Sequence, residues 1–500
     1  MELLIGLITP AVLSIVMYYT AKVKKELAVG IMTGACILLI ILFSHAYFIA
    51  GKGEMLKESY SWLPILTPAA RAIKFTLFID GISYALVITT LLLFILSLVY
   101  SNGYIEREHP QFYLLMALLL TGLIGVFISA NLLAFYVFWE FMLIPSYFII
   151  ARWGYRDPAK IAFKFFIFTH AGAVFLIVGI GLIAVLTGGI GLEIFQLKEV
   201  YEKILPFWRY IFAFLTFGFA VKMALWPVHL WLPDAHAEAP APMSSLLSGI
   251  IIEAGAYAIF RIALLTVLLG NPTLTASEAA EILIGLASLG VLTAFYGGFM
   301  ALKEVDVKRI IAYSSISHMG YVLVGEAAGA YALFNGITPW GLYGAIFHLS
   351  AHAWSKGLWF LVGGSIMHMT HMRDITKLGG LMDKMPLTGI AGVIGMFSIA
   401  GAPPLPCFTS EFLIIAGTGS VAYIEHRFLW IAVLTGIATL VSAAYSLRYF
   451  WQVFWYKPDI KPVEAKEANY WMVAGMLGLA ILVIALGVMP WAIMSLYRLG

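Results

Sequence analysis

Runs of about twenty apolar residues, separated by short polar connections, occupy almost the whole chain. They lie near 2–20, 27–50, 76–100, 111–129, 131–150, 160–187, 207–231, 242–266, 279–302, 309–333, 341–369, 386–416, 428–455 and 469–492. A bilayer core about 30 Å thick is crossed by roughly 20 helical residues. The pattern therefore predicts an all-α polytopic membrane protein with about fourteen transmembrane helices. The longest hydrophilic stretches are 51–75, 188–206 and 456–468. Within 192–205, Leu197, Val200, Tyr201 and Ile204 share one face, which predicts a short amphipathic helix lying on the outer interface. Thr275 and Glu278 are spaced as a capping box before the ninth span. Residues 2–20 lack a basic leader and a small-residue cleavage site, so no cleavable signal peptide is expected.

Two spans are interrupted. The seventh carries Pro227 and Pro233 close after Lys222, and the twelfth carries Pro403, Pro404 and Pro406 before Glu411. Proline removes a backbone donor and frees a carbonyl that lipid cannot satisfy. Broken helices 7 and 12 are thus expected to be buried in protein or to line a wet cavity. The breaks are five spans apart, an odd number, so units built around them have opposite topology, as in transporters with inverted repeats. The competing explanation is two unrelated proline kinks in a packed bundle.

Composition supports the membrane assignment. Of 500 residues, 62% are apolar and only 11% charged, against about 25% charged in soluble domains. Lys and Arg concentrate in loops after odd-numbered spans, for example Lys22, Lys24, Lys25, Arg152, Arg156, Lys308, Arg309 and Arg373. The positive-inside rule then places the chain in the cytoplasmic membrane with both termini on the outer side. The two cysteines, Cys36 and Cys407, form no CxxC pattern, and neither a dinucleotide fingerprint nor a Walker motif occurs. Redox or nucleotide chemistry, where involved, belongs to a partner, and no feature points to nucleic acid. Scarce Asn, Gln and Cys fit a heat-adapted source as well as the general amide poverty of membrane proteins.

Against that background, ionisable residues inside the apolar runs stand out: Glu140, Lys222, Glu253, Lys356 and Glu411. A charge at the centre of a membrane helix costs about 2.5–3.5 kcal/mol on insertion scales. Several together imply mutual pairing or access to water, and an ion-moving purpose. Glu140 and Lys222 are expected to pair as a switch, the alternative being a static pair that fixes helix packing. His348, His352 and Lys356 recur at i, i+4 and i+8, on one stripe of the eleventh span. His318 belongs to the same polar midplane, with Ser314, Ser315 and Ser317 able to hold water. His45, His170, His368 and His371 lie near span ends or lack partners and are not expected to take part. Lys164, Arg261 and Arg448 are expected to snorkel to the interface. His229, Asp234, His236 and Glu238 occupy a re-entrant-looking connection that reads either as an ion-access funnel or as a rigid polar plug.

The stretches WPVHLWLPDAHAEAPAPMSSLLSG, DVKRIIAYSSISHMGY and FHLSAHAWSKGLWFLVGG, with FTLFIDGISY around Asp80, resemble the antiporter-like proton-translocating subunits of respiratory complex I. That superfamily includes Mrp-type Na+/H+ antiporter subunits and archaeal membrane-bound hydrogenases and sulfane sulfur reductases. The resemblance spans roughly 75–455 and is most like chain M, the subunit 4 type. It implies two inverted five-helix repeats, 111–270 (helices 4–8) and 271–455 (helices 9–13). Residues 1–110 would then hold helices 1–3, and 456–500 helix 14. It also implies an ion pathway through Glu140, Lys222, His318, His348 and Glu411. His352 and Lys356 follow the chain L and Mrp pattern. At Glu253 the family usually has a lysine, and a carboxylate there is expected to compete with Glu140 for Lys222 or to add a hard oxygen ligand for a bare cation.

The resemblance implies an H+- or Na+-translocating subunit of a multisubunit redox complex, leaning to an archaeal hydrogenase or sulfane sulfur reductase. The alternatives are NADH–quinone oxidoreductase chain M and an Mrp-type antiporter driven only by gradients. A scaffold whose charges serve packing is a further class. This chain is expected to hold no cofactor or metal. Iron–sulfur clusters, with nickel–iron as an option, are expected on partner membrane and peripheral subunits.

Overall fold

The computed structural model describes residues 1–63, 73–456 and 464–497. Most of the 456–468 connection and the centre of the 51–75 stretch lie outside the described residues. Eleven helices among those described are long and apolar enough to cross a membrane. They are α1 (Glu2–Val23), α2 (Lys25–Ala50), α3 (Gly81–Tyr104), α4 (His109–Ile128), α5 (Leu132–Trp153), α6 (Pro158–Thr187), α7 (Leu197–Met223), α8 (Ala241–Leu268), α9 (Ala276–Lys303), α14 (Arg427–Trp455) and α15 (Tyr470–Val488). The chain is therefore a multi-pass helical membrane protein. Two further long helices, α10 (Val307–Phe334) and α11 (Trp340–Thr370), are not among those eleven. They are buried on nearly every side, which lets them carry serine and histidine where a lipid-facing helix carries leucine. By contrast α1 and α6 turn large apolar side chains such as Ile15, Tyr19, Phe163 and Val185 outward.

Both expected interruptions are present. The seventh span stops at Met223, and Ala224 adopts a left-handed backbone. A non-helical stretch and a short helix, Leu232–Glu238, follow. The twelfth span is two helices, α12 (Pro386–Ile399) and α13 (Pro406–Ser420), parted at Gly401 with φ +68°. The count of about fourteen spans depends on how α10, α11 and this divided span are scored.

One departure from an all-helical chain is a two-stranded antiparallel hairpin, β1 (Met55–Leu63) with β2 (Ile73–Asp80). The residues 76–80, expected to open the third span, belong to its second strand. FTLFID is rich in strand-forming aromatic and β-branched residues, and Asp80 ends the strand by capping α3 through the Ser83 N–H at 2.9 Å. The predicted capping box at Thr275 and Glu278 is formed. The amphipathic segment that opens α7 buries Leu197, Tyr201 and Ile204 as expected, with Val200 half-buried, but as a 3-10 turn running into a single α-turn.

α9 packs closely along α10. A Cβ added to Gly290 of α9 would come 2.7 Å from the Gly320 carbonyl of α10, and one added to Gly320 would come 2.5 Å from the Gly290 carbonyl. The two backbones are in direct contact, with no side chain between them.

Candidate functional site

Three imidazoles pack together in the buried interior of the bundle. His318 of α10 and His348 and His352 of α11 have ring centroids 5.2, 5.4 and 5.7 Å apart. His318 Nδ1 lies 3.0 Å from His348 Nε2. All three rings are fully buried. The helical stripe drawn from the sequence thus becomes a cluster, because α10 delivers the third ring against the two on α11.

Carboxylates flank the cluster on two sides. Glu253 of α8 meets His352 Nδ1 at 2.6 Å, and Glu411 of α13 lies 3.9 Å from His318 Nδ1. Hydroxyls complete the surround: Ser410 is 2.7 Å from His348 Nδ1 and Tyr445 is 3.2 Å from His318 Nε2. The break in the twelfth span explains where Glu411 points. A Cβ at Gly401 would fall 2.5 Å from its carboxylate, so a side chain at that turn would displace it. Lys356, one turn beyond His352, donates to the Ser314 hydroxyl, with its ammonium 4.8 Å from the Trp359 ring centroid.

The other half of the expected site is arranged differently. Lys222 is buried in the last turn of α7, just before the break, with its ammonium 5.1 Å from the Trp139 ring centroid. Among the described residues it forms no ion pair within 4.0 Å, so the expected direct contact with Glu140 is not made. Glu140 instead meets His170 Nδ1 at 2.9 Å. His170 is not among the residues that the sequence predicts to take part. It was missed because the pairing joins neighbouring spans thirty residues apart, which no local spacing reveals. The expected competition of Glu253 for Lys222 is also not seen, since Glu253 is held by His352.

The residues expected to snorkel are tied down instead. Arg261 bonds Asp80 at 2.6 Å, Lys164 bonds Asp234 at 2.6 Å, and Arg448 donates to the Leu302 and Glu304 carbonyls at the end of α9. Asp234 also takes Arg309 at 2.5 Å, and Arg309 takes Glu304 at 2.9 Å. Glu238 accepts from the Arg156 and Asp157 N–H groups. His236 stacks on Phe360 and His229 packs against Tyr296. Of the re-entrant connection's polar residues, Asp234 and Glu238 are cross-linked to neighbouring elements, while the ring nitrogens of His229 and His236 are buried without hydrogen-bond partners. Arg309, which holds Asp234, and Glu304 also border an open cavity of about 830 Å³. Burial pushes the Asp234 carboxyl up, but the hydrogen bonds from Lys164 and Arg309 outweigh it and hold the group below the ordinary range.

Two buried ionisable groups were absent from the sequence-based set. Lys308 is fully buried and donates to the Ala239 carbonyl. Glu326 of α10 is 1% exposed and sits eight residues after His318, on the same stripe. The spacing that singled out α11 would have found it.

A buried file of imidazoles and carboxylates, held by broken helices in a membrane bundle, defines a class: multi-pass proteins of the antiporter-like fold. The family NADH:quinone oxidoreductase/Mrp antiporter, TM, matches residues 129–440, and the chain belongs to it. It is 34% identical over 438 residues to NADH-quinone oxidoreductase subunit M of Pseudomonas aeruginosa, covering 85% of this chain and 81% of the relative. It is 30% identical over 499 residues to F(420)H(2) dehydrogenase subunit M of Methanosarcina mazei, covering 98% and 95%. A chain in the structure of the membrane-bound sulfane sulfur reductase, an archaeal respiratory membrane complex, superposes with a TM-score of 0.83 at 26% identity, covering 99% of this chain and 77% of that one. These relatives are subunits of multisubunit membrane complexes. Among the described residues no group of three or more His, Cys, Asp or Glu is placed to hold a metal ion.

Proposed function

We propose that this chain is the ion-translocating membrane subunit of a multisubunit redox complex, with Glu140, Lys222, Glu253, His318, His348, His352, Lys356 and Glu411 as its pathway. The observation that carries this is the His318–His348 contact at 3.0 Å, with Glu253 and Glu411 at either side of the cluster. Imidazoles take up and release a proton near neutral pH. Placed in contact, they can pass one along while neighbouring carboxylates balance the charge. Moving one charge against 100 mV takes about 2.3 kcal/mol, which this chain has no chemistry to supply. Electron transfer in partner subunits bearing iron–sulfur clusters is the source in this reading. The likeness to subunit M of an F(420)H(2) dehydrogenase and to an archaeal sulfane sulfur reductase favours an archaeal-type complex.

The two breaks support a pump built from the inverted repeats 111–270 and 271–455, and the Lys and Arg bias of the loops supports both termini on the outer side of the cell membrane. Lys222 closes the first break and Glu411 follows the second. Purification through this chain should yield cluster-bearing subunits, and Glu411→Gln should depress redox-driven ion uptake in reconstituted vesicles. Unchanged uptake in a fully assembled Glu411→Gln complex would defeat the reading. Glu253, a carboxylate suited to a hard cation, favours Na+ exchange as the second reading. That reading expects Na+/H+ exchange in vesicles without an electron donor.

A further inference from the structure

We propose that Tyr445 and Ser442 of α14 are positioning residues that fix the tautomers of His318 and His348, so that this imidazole pair takes up a proton from one end alone, beside the Ser410 hydroxyl. The inference rests on the pathway reading above and deepens it by giving the pathway a direction.

A continuous row of hydrogen-bonding groups crosses the bundle from α13 to α14. Ser410 Oγ lies 2.7 Å from His348 Nδ1, His348 Nε2 lies 3.0 Å from His318 Nδ1, and His318 Nε2 lies 3.2 Å from the Tyr445 hydroxyl. Tyr445 donates to Ser442 Oγ at 3.1 Å, and Ser442 Oγ is 2.8 Å from the Tyr321 hydroxyl of α10. Every side chain in the row is buried.

A neutral imidazole has one N–H and one bare nitrogen, and the partner of each nitrogen decides which is which. A phenol has a single hydrogen to give. Tyr445 gives its hydrogen to Ser442, one turn earlier on α14, so towards His318 it can only accept. His318 Nε2 must then carry the ring hydrogen, which leaves Nδ1 bare towards His348. His348 Nε2 becomes the donor across the 3.0 Å contact, and His348 Nδ1 the bare nitrogen. One serine on α14 thereby orders both rings.

The bare nitrogen at the far end faces Ser410, whose hydroxyl has a second acceptor in reach. It can donate to His348 Nδ1 or to the Cys407 carbonyl, one turn earlier on α13, at 2.9 Å. Turned to the ring, it closes the row. Turned to the carbonyl, it leaves His348 Nδ1 free to take a proton. The transfer then forms an N–H bond at His348 Nδ1, breaks the one at Nε2 and forms one at His318 Nδ1, leaving His318 as the imidazolium. That charge arises 3.9 Å from Glu411 Oε1, which has no hydrogen-bond partner of its own. From the α14 end the row presents no bare ring nitrogen, so a proton does not enter there.

The test reads the tautomers directly, by nitrogen NMR of the intact complex with isotope-labelled histidine, His318→Gln and His348→Gln identifying the signals. At rest both rings should carry hydrogen on Nε2, and an Nδ1–H form of either overturns the proposal. Ser442→Ala frees the Tyr445 hydrogen for His318 Nε2. Both rings should convert to the Nδ1–H form, and protons moved per redox turnover in vesicles should fall several-fold. Ser442→Thr keeps the acceptor and should retain the parent tautomers and pumping. Unchanged tautomers in Ser442→Ala, or inverted tautomers with parent pumping, overturn the control by α14. Tyr445→Phe, which removes the hydroxyl with little change of shape, should lower pumping in the same way, and parent pumping there has the same meaning. If Glu411→Gln impairs pumping while Ser442→Ala and Tyr445→Phe do not, the tautomer control falls and the pathway reading stands. If none impairs it, both fall.

Discussion

His352 Nδ1 lies 2.6 Å from Glu253 Oε1, with both side chains essentially excluded from solvent. Removing one member of a buried pair strands the other and costs about 3–5 kcal/mol, whereas replacing both by apolar groups is often neutral. Glu253→Leu and His352→Leu singly should each lower the thermal midpoint of the purified protein, and the double variant should recover much of the loss. Additive losses would show that the two do not act as a pair.

Glu253→Lys installs the residue that the family resemblance implied at this position, and it should be harmful here. The new ammonium would face His352, which lies one turn from Lys356 on α11, and the carboxylate that meets His352 would be gone. Complex yield and thermal midpoint should both fall. A variant as stable as the parent would mean that the surroundings of this position tolerate either sign of charge.

Lys222→Met is expected to separate function from stability. The ammonium has an aromatic ring for company and no ion pair within 4.0 Å among the described residues, so an apolar side chain of similar length leaves no charge stranded. The thermal midpoint should hold or rise while ion uptake is lost. Retained uptake would remove Lys222 from the pathway.

Glu140→Gln keeps a hydrogen-bonding group against His170 but cannot take up charge. Assembly should be normal and redox-driven ion uptake should drop several-fold, with His170→Ala giving a smaller drop in the same direction. Normal uptake in both variants would leave that pair a packing feature.

Acid should loosen the face built around Asp234 and Glu304. In Glu304, burial pushes the carboxyl up, but the Val305 and Asp306 N–H groups and Arg309 together hold it below its ordinary range, as Lys164 and Arg309 do for Asp234. A depressed folded-state value favours the charged form. The stabilisation is therefore complete above the unfolded carboxylate range and is lost as pH falls through the depressed values. Thermal midpoints in detergent should decline on that acid limb. Asp234→Asn with Glu304→Gln should start lower at neutral pH and decline less steeply; identical limbs would assign the acid sensitivity elsewhere.

Much of the bundle was legible because lipid enforces length and apolarity on every span. The two breaks were equally plain, since proline acts locally, through Pro227 in the seventh span and Pro403 in the twelfth. The hairpin at 55–80 was not seen, because FTLFID merges into the apolar run of α3. For the site, membership was readable but partnership was not. Glu253, His352 and Lys356 each announced themselves as charge in an apolar run, and the stripe on α11 was clear. That Glu253 would choose His352 over Lys222, and Glu140 would choose His170, depends on helix rotation and inter-helix register. Those are set by contacts far apart in sequence, such as Gly255 against the Met223 backbone. Glu326 was readable by the same rule and was passed over.

The bare glycine crossing of α9 over α10 limits how the machine can work. With Gly290 and Gly320 pressed main chain to main chain, α10 has no slack to roll or slide as a lever. Changes of state in this half must then be carried by rotamers, protons and hydration inside a stationary frame. Structures captured before and after turnover should superpose closely through α9 and α10, and differ in the orientation of the His318, His348 and His352 rings.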